Sequence, residues 1–196
     1  MNEQEIMAEF EAAQAILRGH FILSSGLHSD TYLQCARVMM DAARGGCLCK
    51  ALADKIKREL PDAQFDMVVA PAMGGVVVGY EMGRQLGVPT IFCERQDGKF
   101  TLRRGFDIED GARVLLVEDV VTTGKSSLET VTCIEDFGGK VVAEASLVDR
   151  RDEHSILPFP LISLLKVEVA TFEPTKIPDA LAEIPAIKPG SRWLKA

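Results

Sequence analysis

Apolar residues in this chain fall in short unbroken runs, separated by stretches in which they recur every three or four positions. The runs at 66–70 (DMVVA), 89–93 (PTIFC), 114–117 (VLLV) and 140–148 predict strands covered on both faces, since such strands show no polar alternation. Between them, Leu48, Leu52, Ile56 and Leu60 behind the capping residue Asp41 predict a helix over 41–60, ended by Pro61. Val76 to Leu86 reads as a second helix. Ser127 to Phe137 reads as a third, with Leu128, Val131, Ile134 and Glu135 in its repeat. Nearer the start, 2–17 predicts an amphipathic helix carrying Ile6, Phe10, Ala13 and Leu17 on one side, with Asn2 and Glu5 as its start signal. Past 148, the segments 161–165 and 167–170 predict short strands around Lys166. Strands alternating with helices define an α/β fold with a Rossmann-like, mostly parallel sheet flanked by helices. Its core spans about 41–150 of a single domain, 1–196, and the segments 1–40 and 151–196 are left to build a small hood.

A sheet of this kind binds ligands beyond the C-terminal ends of its strands, here after Ala70, Cys93, Val117 and Val148. The third edge is the most informative. Glu118 and Asp119 follow the run, then Val120 and Val121, then the turn Thr122-Thr123-Gly124-Lys125-Ser126 ahead of a helix. Free N–H groups at a helix N-terminus capture anions, and Gly124 lets the backbone come close. Two carboxylates would repel a phosphate, so they need a different partner. Sugar hydroxyls suit them, because an ionised carboxylate only accepts hydrogen bonds. Gly124-Lys125-Ser126 looks like the end of a Walker A loop, but that loop needs Gly where Asp119 stands. An ordinary strand with a capped helix behind it is the bland alternative.

The other edges are less specific. PAMGG at 71–75 offers N–H donors to a diphosphate, or is a tight turn; Val76 breaks any G-x-G-x-x-G pattern. The stretch 94–105 concentrates Arg95, Lys99, Arg103 and Arg104, either as a mobile arm over an anionic leaving group or as a hairpin turning at Asp97-Gly98. Arg150 at a strand edge could clamp a carboxylate bidentately, or pair with Asp149. The loop 19–34 gathers Ser24, Ser25, Gly26, His28, Ser29 and Asp30 in a stretch of poor alternation.

Composition narrows the class. At 47% hydrophobic and 26% charged the chain is globular, and its net charge of −7 argues against nucleic acid as a general partner. No apolar run reaches membrane-spanning length, and MNEQEIMAEF lacks a basic, apolar leader, so the cytoplasm is the expected location. Five cysteines (35, 47, 49, 93 and 133) make no C-x-x-C pair and are expected as free thiols rather than disulfides or zinc ligands.

The segment VLLVEDVVTTGKSS resembles the signature of type I phosphoribosyltransferases for phosphoribosyl diphosphate (PRPP), and F-x-L-S-S-G-x-H-S-D-x-Y resembles the hood of the orotate-specific branch. The resemblance implies transfer of ribose 5-phosphate from PRPP to N1 of orotate. It places Glu118 and Asp119 on the ribose hydroxyls, and residues 120–126 (Val120, Val121, Thr122, Thr123, Gly124, Lys125, Ser126) on the 5-phosphate. Met73 and Gly74 fall to the diphosphate. Arg95, Lys99 and Asp119 become catalytic. Arg150, Thr122, Ser25, Gly26, Tyr32 and Leu33 fall near orotate. It implies Mg²⁺ carried by PRPP, near Glu118 and Asp119 without direct protein ligands, and a homodimer whose arm reaches the neighbouring site. The pattern departs at Ser24, where some relatives have a PRPP-binding Lys, at Gln96 and Thr101, and at Lys125, where many have a small residue. A purine-specific enzyme, or a silent PRPP-sensing regulator, shares the central signature.

Overall fold

The structure is a computed structural model, describing residues 1–23 and 25–189. The chain opens with α1 (Glu3–Ala12), whose capping box has both bonds, Glu5 N–H to Asn2 Oδ1 at 2.9 Å and Asn2 N–H to Glu5 Oε2 at 2.8 Å. The helix stops earlier than expected. Gln14 takes a left-handed φ of 50°, and Leu17 belongs to a strand, β1 (Ile16–Ile22). Next come β2 (His28–Leu33), α2 (Cys35–Met39) and α3 (Ala42–Glu59). The carboxylate of Asp41 accepts from the N–H groups of Ala43 and Arg44, and Leu48, Leu52 and Ile56 are buried at the expected spacing.

The core follows: β3 (Met67–Pro71), α4 (Gly75–Leu86), β4 (Thr90–Gln96), β5 (Lys99–Thr101), β6 (Arg113–Val121), α5 (Lys125–Asp136), β7 (Lys140–Asp149) and β8 (Leu161–Lys166). These strands make a six-stranded sheet in the order β5-β4-β3-β6-β7-β8, parallel except for β5. One apolar layer, with Leu48, Leu52, Val78, Leu115, Val117 and Leu147, lies on one side; another, with Val69, Val114, Leu116, Cys133 and Ile134, lies under α5. β6 runs four residues past Val117, so Glu118 and Asp119 lie inside the strand rather than after it, with Val121 pairing with Asp149.

A second, three-stranded sheet has the order β1-β2-β9, where β9 is Thr171–Phe172. Residues 167–170, expected as a strand, are irregular, and the pairing with β2 begins one residue later. The short helix α6 (Asp179–Ala182) follows, and the tail returns to the sheet where Ile22 N–H donates to Ile187 O. Ser24 and the 191–194 stretch Ser-Arg-Trp-Leu, singled out in the sequence, lie outside the described residues. Among the described residues no helix is long and apolar enough to cross a membrane, and all five cysteines are free.

Candidate active site

Side chains of neighbouring strand residues point to opposite faces, and this separates the two acids at the end of β6. Glu118 turns toward α5, close enough to Ser126 for the serine hydroxyl to act on the carboxyl. Burial, then the charge of Asp119, pushes its carboxyl well above the usual carboxylate range. Asp119 turns the other way, against Gly74; a Cβ on Gly74 would sit 2.8 Å from Asp119 Oδ1. Its carboxyl is also raised by burial, opposed by hydrogen bonds from N–H groups that include that of Val120, at 2.9 Å.

Val120 and Val121 carry β6 into the turn, where Thr122 and Thr123 are exposed. Gly124 closes it with φ 72°, and a Cβ there would lie 2.9 Å from Leu157 Cδ2, so glycine is needed both for conformation and for space. Having no side chain, Gly124 cannot cap α5, and the first-turn N–H groups of Lys125, Ser126 and Ser127 face the turn. The Lys125 ammonium is exposed and stands 4.0 Å from Glu129. On the neighbouring edge, β3 ends at Pro71 and the peptide Ala72–Met73 is cis; Met73 is exposed beside Gly74.

Arg150 lies one residue past β7, and its N–H donates to Val121 O, which ties it to the end of β6. The expected competitor, an ion pair with Asp149, goes instead to Arg151, at 3.0 Å. Arg150 Nε is buried with no hydrogen-bond partner. Tyr32 of β2 and the Cys35 thiol lie close enough for their charges to act on Arg150, and those of Asp119 and Arg150 on them. Burial lowers the Arg150 pKa and raises those of Tyr32 and Cys35. Asp119, Gly74, Tyr32 and Arg150 therefore meet at one corner, with the turn 122–126 beside them. Leu33 is buried in the adjoining core.

Other predicted residues are placed apart. Segment 90–101 is a hairpin, turning at Asp97 (φ 51°) and Gly98 (φ 86°), so the alternative to a free arm is the conformation adopted. Arg95 stacks over Phe100 at 4.2 Å, donates to Gly98 O and pairs with Glu129, not with the acids of β6. Lys99 is exposed opposite Gln96, with Thr101 further along the same strand. Ser25 and Gly26 form the exposed turn between β1 and β2, bonded within that turn. Sequence reasoning missed Cys35 at the corner and Glu144, a fully buried carboxyl on β7 bonded to Ser127. The one signal for Glu144 was a lone acid within an apolar run.

A doubly wound sheet with an anion seat and a carboxylate beside it at one strand edge defines a binder of a phosphorylated, hydroxyl-bearing ligand. The model of the phosphoribosyl transferase domain matches residues 41–172, and the chain belongs to this family. The chain is 55% identical to an orotate phosphoribosyltransferase of Sphingopyxis alaskensis over the full length of both. It is 54% identical to that of Rhizorhabdus wittichii, over 98% of this chain and 97% of the relative. Among solved structures, orotate phosphoribosyltransferase from Aeropyrum pernix superposes with a TM-score of 0.70 at 24% identity, covering 83% of this chain and 93% of that one. An adenine phosphoribosyltransferase from Thermoanaerobacter pseudethanolicus has the same fold, with a TM-score of 0.58 at 20% identity over 70% and 88% of the two chains.

Proposed function

We propose that this chain catalyses the reaction its full-length relatives are named for: ribose 5-phosphate passes from PRPP to N1 of orotate, giving orotidine 5-phosphate and diphosphate in pyrimidine biosynthesis. One observation carries the choice of base. Arg150 is half-buried at the ligand corner, free of Asp149 and with an unpartnered Nε, beside Tyr32. A guanidinium held in that state suits a planar ligand bearing a carboxylate, because a bidentate pair answers both its charge and its donors. Orotate has one such group.

In this reading Asp119 and Glu118 hold the ribose, and the turn 122–126 holds the 5-phosphate by backbone donors, with Thr122 also facing the base. Ser25, Gly26 and Tyr32 close over orotate. Met73 and Gly74 offer N–H donors to the diphosphate. Displacement at the anomeric carbon builds positive charge on the sugar and negative charge on the leaving group, so positioning and electrostatics dominate over acid–base chemistry. Lys99 and Arg95 meet the departing diphosphate. Arg95 must leave Glu129 to do so; their pair is partly exposed, and such pairs contribute little. Mg²⁺ favours phosphate oxygens and water over an all-protein cage. The donors here fit that habit, since Asp119 presents hard oxygen beside Gly74 at the edge where the diphosphate would lie. When bound, the ion supplies charge neutralisation on the diphosphate.

The reading includes a cytoplasmic homodimer in which the hairpin serves the neighbouring site. Met73, Val77 and Tyr80, 82%, 54% and 67% exposed, form an apolar strip along the start of α4 that supports burial against a second copy.

Purified protein supplied with PRPP, Mg²⁺ and a panel of bases tests the assignment through diphosphate release. Orotate alone should support turnover. Release with a purine instead would reassign the base, and PRPP binding without release from any base would make the chain a sensor.

A further inference from the structure

Two buried carboxyls stand side by side on the face of the sheet that α5 covers. In the β6–β7 ladder Glu118 pairs with Ser146, and Leu116 with Glu144, so the two acids are diagonal neighbours on adjacent strands. Glu144 is tied to Ser127 in the first turn of α5, and Glu118 lies close enough to the preceding Ser126 for its hydroxyl to act on the carboxyl. Ser127 Oγ donates to Glu144 Oε1 at 2.7 Å; both residues are buried, and Glu144 Oε2 has no partner.

An apolar side chain would fill this place on β7 without the cost of desolvating a carboxyl, so stability alone does not favour an acid there. What the acid does is fix a helix end. With glycine as its N-cap, α5 has only a long bond from a side chain ahead of it, Lys125 N–H to Thr123 Oγ1 at 3.4 Å, to set the direction of its first turn. That direction is set by what its hydroxyls grip: Thr130 turns back to Ser126 O at 2.9 Å, and Ser127 reaches across to β7.

We propose that Glu144 is a positioning residue for the sugar-phosphate seat. Through Ser127 it holds the first turn of α5 so that Ser126 meets Glu118 and the turn's N–H groups point at the phosphate. The inference rests on the phosphate-binding part of the proposed function, not on the identity of the base. Glu144→Leu removes the acceptor at nearly constant volume; Glu144→Gln keeps an acceptor oxygen for Ser127; Ser127→Ala removes only the hydroxyl.

Glu144→Leu and Ser127→Ala should each raise the KM for PRPP and the Kd for ribose 5-phosphate about tenfold, the upper worth of one lost neutral hydrogen bond. The KM for orotate should stay within about twofold, since of this seat only Thr122 also faces the base. Glu144→Gln should restore ribose 5-phosphate affinity to near the wild-type value, and the double variant should be no worse than either single one. Unchanged ribose 5-phosphate affinity in Ser127→Ala, or KM values for both substrates rising together, overturns the proposal even where Glu144→Leu fails to fold. Wild-type protein that binds ribose 5-phosphate but does not turn over orotate refutes the reaction alone, and the binding comparison still decides the role of Glu144.

Discussion

The two corners that build the site, β3 into α4 and β6 into α5, share a plan and differ in how the helix is held to the sheet. At the first, helix and strand touch where side chains are missing. A Cβ on Gly75 would meet Val117 O at 2.9 Å, and one on Gly79 would meet Ala70 Cβ at 2.7 Å. At the second, a buried hydroxyl and carboxyl span the gap, Ser127 to Glu144, with the half-buried Ser126 near Glu118 beside them. Close packing of backbone tolerates no added atom. Polar tethers can be weakened by degrees. Under the proposed function the first corner serves as a fixed wall for the ligand, and the second as an adjustable seat.

The sharpest way to break this contrast is Gly74→Ala. Gly74 has ordinary helical angles (φ −61°, ψ −41°), so the added methyl costs no backbone strain and acts only by displacing Asp119, 2.8 Å away. A shift of this size at a positioning group should lower kcat/KM about a hundredfold, with Tm unchanged. Retained kcat/KM would show that the wall has slack. Arg150→Ala comes next and should raise the KM for orotate about thirtyfold, the cost of removing a partly buried charge partner, while the KM for PRPP holds. An unchanged orotate KM would point to a different carboxylate clamp.

Gly79→Ala tests the wall away from the ligand. Separating α4 from β3 should cost about 2 kcal/mol, of which up to about 1 kcal/mol is returned by better helix propensity. Urea unfolding should show this loss with kcat/KM retained; a more stable variant would mean the helix shifts freely. The seat is tested last, by its response to pH. Burial raises the Glu144 carboxyl from its ordinary 4.5 to about 7, so between these values the folded chain keeps a proton that the unfolded chain has released. Stability therefore falls as pH rises through this window, by at most about 1.4 kcal/mol per pH unit from this group. Glu144→Gln should flatten the fall measured by urea midpoints from pH 5 to 7, leaving the part due to Glu118 and Asp119, whose carboxyls are also raised by burial; an identical slope would place Glu144 in a wetter environment.

The adjustable corner was the more legible of the two. Residues 114–126 combine an unbroken apolar run with acids, threonines and a glycine, and each type has a local physical reason to be there. Only the strand's true end, Val121 rather than Val117, was hidden, because parallel pairing with β7 carries it through two acids that sequence alone reads as a stop. The hood was obscure for a different reason. A register shift between Arg18 and Phe21 breaks the alternation of β1, and one of its two buried residues, His20, is polar. His20 bonds to Ile184 O and to His28, and Ser29 bonds to Ala170 O, so buried residues look like surface ones. Glu144 showed only as a lone acid in an apolar run, because its partner Ser127 lies on another element. Arg150 was placed at the right edge, but which of two adjacent arginines takes Asp149 depends on side-chain direction.

The strand order has a consequence for the order in which a ribosome delivers the parts. Tyr32 emerges early, yet Arg150, its neighbour in the finished corner, lies beyond the end of β7. β6 sits between β3, made before it, and β7, made after it. With synthesis running from the N-terminus, a nascent chain stopped before residue 150 carries the residues proposed for sugar and phosphate but not the one proposed for the base. The corner becomes whole only once Arg150 has been made.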